Sequence, residues 1–163
     1  MSNISSSDPK RDLLRHTLAT VAYRGGKALR NAPPHFSEFR AGEGVRTPGE
    51  ILAHLGDLFD WALSIARGKE TWNGAKPLAW EKEVERFFAA LEKLDRLVAS
   101  DEPLHASSEN LFQGPIADAL THVGQIVLLR RLAGATVKSE NYYRAEILAG
   151  RVGAEQTSPK REF

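Results

Sequence analysis

The sequence predicts an all-α protein, a four-helix bundle with a short additional helix near the C-terminus. Four long segments place apolar residues at the 3.6-residue spacing of an amphipathic helix, with glycine, proline and polar stretches between them. No segment shows the strict alternation or the turn signals of a β-hairpin, and there is no internal repeat. A chain of 163 residues without cysteine is also long enough to bury a core without disulfides.

The first two helices have clear start signals. The first is predicted from about Pro9 to Asn31, with Asp8 as its N-cap and Pro9 at the first helical position. The second begins with the capping box Thr47-Pro-Gly-Glu50, in which the threonine and glutamate side chains satisfy each other's free backbone N–H groups. Gly68 is predicted to end this helix.

The second half of the chain supplies the remaining helices. A third helix is predicted from about Leu78 to Ala99, with one apolar side and one charged side. The fourth opens at Gly114-Pro115 and stops at Ala133-Gly134. Its apolar residues occur nearly all round the helix, which is typical of a buried helix. A short amphipathic helix is expected from about Tyr142 to Ala149.

These elements form a single predicted domain, residues 9–155. It lies between a polar leader, 1–8, which we expect to be disordered, and a polar tail, 156–163. The leader lacks the apolar centre of a signal peptide, and no apolar run approaches the roughly 20 residues that span a bilayer. We therefore expect a cytoplasmic protein with no membrane partner.

Composition restricts the chemistry. Lys and Arg number 22 against 21 Asp and Glu, a net charge of +1, so a nucleic-acid partner is not expected. The absence of cysteine excludes thiolate metal sites and an enzyme thiol as nucleophile. Histidine and carboxylate groups remain as the candidate reactive side chains.

Three residues on two predicted helices form the candidate site. Asp118 and His122 are four residues apart, so they lie one above the other on one face of the fourth helix. Because that helix is predicted to be buried, both side chains need partners, and a metal ion would satisfy both. His54, on the flank of the second helix, is the leading third ligand. Two alternatives remain: Asp118 and His122 as a simple hydrogen-bonded ion pair, and His54 as an ordinary histidine near Asp57.

Two further features have a structural and a functional interpretation. Arg130 and Arg131 could bind an anionic substrate, although we expect them to pair with acidic residues near the end of their helix. Trp61 lies seven residues after His54 on the same flank, where it could line a pocket, although packing is the expected role.

The segment Leu52-Ala-His-Leu-Gly-Asp57, followed by Gly114-Pro-Ile-Ala-Asp-Ala-Leu-Thr-His-Val-Gly-Gln125, resembles the DinB-like superfamily of bacterial proteins. Its members are four-helix bundles that often bind a divalent metal through three histidines. One of these comes from the second helix and two from an H-x-x-x-H-x-G-Q-type motif. His54 and His122 match two of the three, and Asp118 stands where the pattern has the third. The resemblance implies a site for Zn²⁺, Ni²⁺, Mn²⁺ or Fe²⁺, with harder ions somewhat favoured by the carboxylate.

The resemblance also implies a function. Characterised members include transferases that use low-molecular-weight thiols such as mycothiol or bacillithiol, and a mycothiol-dependent maleylpyruvate isomerase. We therefore expect a small-molecule substrate, with the metal activating an external thiol, or water if the protein is a hydrolase. The alternative is a non-enzymatic, stress-associated bundle with a structural or vestigial metal site. Dimers are common in the superfamily, so a homodimer is expected.

Overall fold

Four long helices form the body of the protein. In the computed structural model, which describes residues 8–163, they are α1 (Pro9–Leu29), α2 (Pro48–Ala66), α3 (Trp80–Ala99) and α5 (Ala117–Leu132). A four-residue helix, α4 (Ser108–Leu111), runs into α5 through one π-helical turn, Phe112–Ile116. No strand occurs between residues 8 and 163, so the all-α prediction is confirmed. Apart from Asp8, the predicted leader lies outside the described residues.

The helix starts follow the predicted local chemistry. The Asp8 side chain accepts a hydrogen bond from the backbone N–H of Lys10, which caps α1. At α2 both halves of the capping box are present, because Thr47 Oγ1 accepts from the Glu50 N–H and the Glu50 carboxylate accepts from the Thr47 N–H. Gly68, with φ +75°, follows the end of α2 in the left-handed conformation that suits glycine.

The core lies between the four long helices. α2 packs mainly against α3, while α1 packs against α3 and α5. Gly25 permits the approach of α1 to α3, since a Cβ atom there would come within 2.8 Å of Phe87 Cζ. Each fully buried large side chain contributes roughly 1.5–3 kcal/mol. The largest apolar ones are Phe59, Phe87, Leu18, Leu52, Leu55, Leu91, Leu94, Leu111, Ile116 and Ile126.

The fourth predicted helix differs from its prediction in two ways. The helical run begins earlier, at Ser108, and the Ser107 side chain caps it by accepting from the Asn110 N–H. The prediction that this helix is buried all round is wrong, because Leu128 and Leu132 are 54% and 58% exposed. The physical reason is that α5 packs mainly against α1 and α2, which cover one side only.

The C-terminal segment contains no α-helix. In place of the predicted helix at 142–149 there is a single 3₁₀ turn, Tyr142–Arg144, followed by irregular chain. The backbone on either side of Glu140 pairs instead with the last residues, through Asn141 N–H to the Arg161 carbonyl and Phe163 N–H to the Ser139 carbonyl, each 3.0 Å. These long-range bonds hold the end of the chain against residues 139–141.

A buried polar cluster anchors that segment to α1. Lys27 Nζ donates to the carboxylates of Glu140 at 2.8 Å and Glu162 at 2.9 Å, and Tyr23 Oη donates to Glu140 at 2.6 Å. Lys27, Tyr23 and Glu140 are all buried. Burial alone would lower the pKa of Lys27, but the two carboxylates raise it above its ordinary value, so the ammonium form persists at neutral pH.

None of the helices in residues 8–163 combines the length and the apolar character needed to cross a membrane.

Candidate metal centre

α2 and α5 bring His54, Asp118 and His122 together. One carboxylate oxygen of Asp118 lies 3.7 Å from His54 Nε2, and the other lies 3.4 Å from His122 Nε2. The two imidazole rings are 4.7 Å apart between centroids and nearly perpendicular, at 87°. One candidate ligand atom from each residue lies within 4.8 Å of the other two. The three residues singled out in the sequence therefore form one cluster.

Local structure explains how each side chain reaches this point. On α2 the residues on either side of His54, Ala53 and Leu55, are buried, so His54 projects from the edge of the packed face. On α5 the buried residues Ala119 and Val123 each follow a candidate ligand, which places Asp118 and His122 at the edge of the α2–α5 contact.

A second-layer hydrogen bond sets the orientation of His122. Its Nδ1 lies 2.8 Å from Oε1 of Gln125, three residues later on α5. An amide oxygen only accepts hydrogen bonds, so Nδ1 is the donor here, and in the neutral ring the lone pair then lies on Nε2. The ring thereby presents a free nitrogen toward Asp118, which is the form that binds a metal.

The cluster lies at the surface of the bundle. The side chains of His54 and His122 are 21% and 12% exposed, while that of Asp118 is 47% exposed. The expectation that Asp118 lies away from an open surface is wrong, because α5 has one uncovered side. A small molecule in solution can reach the Asp118 carboxylate and the space beside it.

The electrostatic surroundings favour the neutral form of His54. Burial lowers the pKa of His54, and the neighbouring His122 and Arg46 lower it further, against an opposite effect of Asp118 and Asp57. Asp57 does not serve as the simple partner of His54, since its carboxylate pairs with Arg86. His54 is therefore held as an uncharged imidazole with a lone pair available.

The donor set fits a divalent cation. Bonds of about 2.0–2.1 Å to Zn²⁺ separate ligand atoms in a tetrahedral site by about 3.3 Å. The three candidate ligand atoms lie within 4.8 Å of one another, so binding an ion there requires the side chains to close by at most about 1.5 Å. Two imidazoles and one carboxylate also leave coordination positions open, as in catalytic rather than structural sites.

The cluster is bordered by an aromatic side chain, Trp72, that no sequence pattern singled out. The Trp72 ring lies 5.6 Å from the His54 ring, and it also contacts the Trp61 ring, at 5.8 Å between centroids. Trp61 packs against Trp72 and donates from Nε1 to Glu70 at 3.2 Å, so it reaches the site only through Trp72. The one signal for Trp72 was an isolated tryptophan in an otherwise polar loop.

Arg130 has a structural role instead of an acidic partner. Its guanidinium donates to the backbone carbonyls of Ala28, Arg30, Asn31 and Ala135, at 2.9–3.2 Å. Three of these carbonyls lie at the C-terminal end of α1, where no following helical N–H group is available to donate to them. The expected pairing with acidic residues is thus wrong for Arg130, which is buried and joins the ends of α1 and α5.

The fold and the cluster together define an all-helical protein with a candidate divalent-metal centre open to solvent. Comparison of the chain with protein-family models, with curated proteins and with solved structures gives no match. The resemblance to the DinB-like superfamily is therefore still a prediction from the residues of α2 and α5.

Proposed function

We propose that the protein binds a divalent cation through His54, Asp118 and His122, and that this centre activates a thiol or water for reaction with a small molecule. The observation that carries the proposal is the convergence of the three ligand atoms within 4.8 Å, from helices that are distant in the sequence. The orientation of His122 by Gln125 supports it, because a histidine with a free Nε2 and a bonded Nδ1 is the usual form of a metal ligand.

Each residue has a defined task in this proposal. His54 and His122 offer imidazole nitrogens, and Asp118 offers one carboxylate oxygen to each of them. A divalent cation held there would lower the pKa of a thiol or of water that binds beside it. Because Asp118 is half-exposed, the external molecule approaches from the open side of α5.

The resemblance to the DinB-like superfamily supports a transferase that uses a low-molecular-weight thiol. The chain has no cysteine, so the thiol of such a reaction must come from a cosubstrate. A hydrolase would use the same open position for water. The homodimer that the resemblance implies also stays a prediction, and Leu128 and Leu132 offer exposed apolar surface on α5 for it.

The proposal is tested first by metal content. Protein purified without a nickel column is analysed for metal, and its affinity for Zn²⁺, Ni²⁺, Mn²⁺ and Fe²⁺ is measured by calorimetry. We expect one ion per chain, and a loss of affinity greater than about 100-fold in His122→Ala and Asp118→Asn, since ligands matter more than their second-layer partners. His16→Ala, an exposed histidine on α1, is the matched control and keeps wild-type affinity.

The outcome separates the candidate functions. Equal, weak affinity in wild type and His122→Ala would refute the metal centre. Stoichiometric metal without turnover of electrophilic substrates, with or without added thiols, would favour the non-enzymatic bundle. Thiol-dependent turnover that disappears in His122→Ala would support the transferase, and thiol-independent turnover the hydrolase.

A further inference from the structure

The loop that carries Trp72 is irregular but firmly attached to α2. The segment 67–79 has no helix or strand, yet its first half is bound to Ser64 at two points. The N–H of Lys69 donates to the Ser64 carbonyl at 2.9 Å, and the N–H of Thr71 donates to Ser64 Oγ at 3.0 Å. The residue directly before Trp72 is therefore fixed to the helix that carries His54.

The second half of the loop is held by a charged cluster. The N–H of Ala75 donates to Asp57 Oδ2 at 3.4 Å, and Asp57 is in turn paired with Arg86 of α3. Further on, the N–H of Leu78 donates to the fully buried Glu83 at 2.9 Å. Trp72 thus lies between two anchored points, so its backbone position is set before any ligand arrives.

Despite this anchoring, Trp72 is 48% exposed. Its ring has edge-type contacts with His54 and with Trp61, at interplanar angles of 61° and 84°. An ordered loop that leaves a large apolar ring half in water, against a candidate metal ligand, gains little for the core. The ring is instead positioned to form one wall of the space that a molecule bound at the open side of the centre would fill.

We infer that Trp72 is a specificity-determining residue that contacts an aromatic ring of the molecule bound at the metal. The inference rests on the proposed function. An aromatic ring suits this wall, because offset and edge-on aromatic pairs are stable at centroid distances of 4.5–7 Å. A cationic group does not suit it, since the divalent ion exceeds the charge of Asp118 and Arg46 adds a positive charge near His54.

The test compares two metal-binding probes that differ only in a ring. Zn²⁺-loaded protein is titrated with acetohydroxamate and with benzohydroxamate, which share a metal-binding group and differ by methyl against phenyl. We expect the preference for benzohydroxamate over acetohydroxamate to be about 5-fold larger in wild type than in Trp72→Ala. A factor of this size corresponds to one typical aromatic contact. Trp72→Phe should keep most of the preference, and Tyr143→Ala, which removes an aromatic ring that is 90% exposed, should keep all of it.

The possible failures are distinguishable. If zinc does not bind, neither probe binds, and both the metal centre and the role of Trp72 are refuted. If zinc binds but the ratio of the two probes is the same in wild type and Trp72→Ala, the role of Trp72 alone is refuted. If zinc binds and neither hydroxamate binds to wild type, the open coordination position is refuted, and with it the contact to Trp72.

Discussion

Replacing Gln125 by leucine should weaken metal binding while leaving all three proposed ligands in place. Gln125 is exposed on α5, and its one described contact with the site is the 2.8 Å bond to Nδ1 of His122. Leucine keeps a side chain of similar size but removes the acceptor. The imidazole is then free to rotate and to place its proton on Nε2, and in that form the nitrogen facing Asp118 cannot bind a cation.

The magnitude follows from that single contact. A hydrogen bond of this kind contributes about 0.5–1.5 kcal/mol net, which is roughly a 2- to 12-fold change in an equilibrium constant. Loss of a second-layer partner of a metal-binding histidine typically weakens affinity by about 10- to 100-fold. Because Gln125 is exposed, water partly replaces the lost acceptor, which keeps the effect at the lower end of that range. We therefore expect Gln125→Leu to bind Zn²⁺ about 10-fold more weakly than wild type.

Competition calorimetry against a chelator of known affinity measures this difference. Gln125→Glu should restore or exceed wild-type affinity, because a carboxylate accepts the Nδ1 proton in a stronger, charge-assisted bond. Gln113→Leu, at an exposed glutamine of the π-helical turn, is the matched control. Zinc affinity of Gln125→Leu within 2-fold of that control would refute the idea that Gln125 orients the ligand.

Two further predictions concern the stability of the fold. Arg130→Met removes four hydrogen bonds from a buried cation to backbone carbonyls, so it should lower the free energy of unfolding, measured by urea denaturation, by about 3–4 kcal/mol. The control Arg131→Met, at the exposed neighbouring residue, should change it by less than about 0.5 kcal/mol. Similar losses in the two variants would contradict the carbonyl-binding role. Burial and the bond to Glu140 raise the pKa of Tyr23 above its ordinary value near 10, so its contribution to stability is present below pH 10 and lost as the pH rises above it. Between pH 9 and 11 the unfolding free energy of Tyr23→Phe should therefore fall less steeply than that of wild type, and parallel curves would show that Tyr23 does not titrate differently on folding.

The helices were predictable because their signals are local. The capping box at Thr47 and the N-cap at Asp8 satisfy backbone groups only a few residues away, so their outcome does not depend on distant chain. The burial of α5 was not predictable in the same way, since the same apolar pattern fits a covered helix and one with Leu128 and Leu132 in solvent. Which neighbours a helix has is a tertiary property.

The candidate site shows the same division. Asp118 and His122 are a turn apart on any α-helix, so their proximity follows from spacing alone. The proximity of His54 to these two residues depends on α2 packing beside α5. The family resemblance implied that packing, and the structure contains it. Trp72 could not be predicted, because its position comes from loop hydrogen bonds to Ser64 and Asp57 that have no sequence period.

The π-helical turn ahead of α5 has a consequence for how the centre tolerates changes in chain length. In such a turn each hydrogen bond spans five residues in place of four, so Phe112–Ile116 accommodates one residue more than an α-helical turn. Elsewhere in a helix, losing one residue rotates everything beyond it by about 100°. Loss of one residue here would convert the turn to ordinary α-helix and leave Asp118 and His122 aimed at His54. A one-residue deletion in this turn would therefore leave the direction of the Asp118 and His122 side chains unchanged.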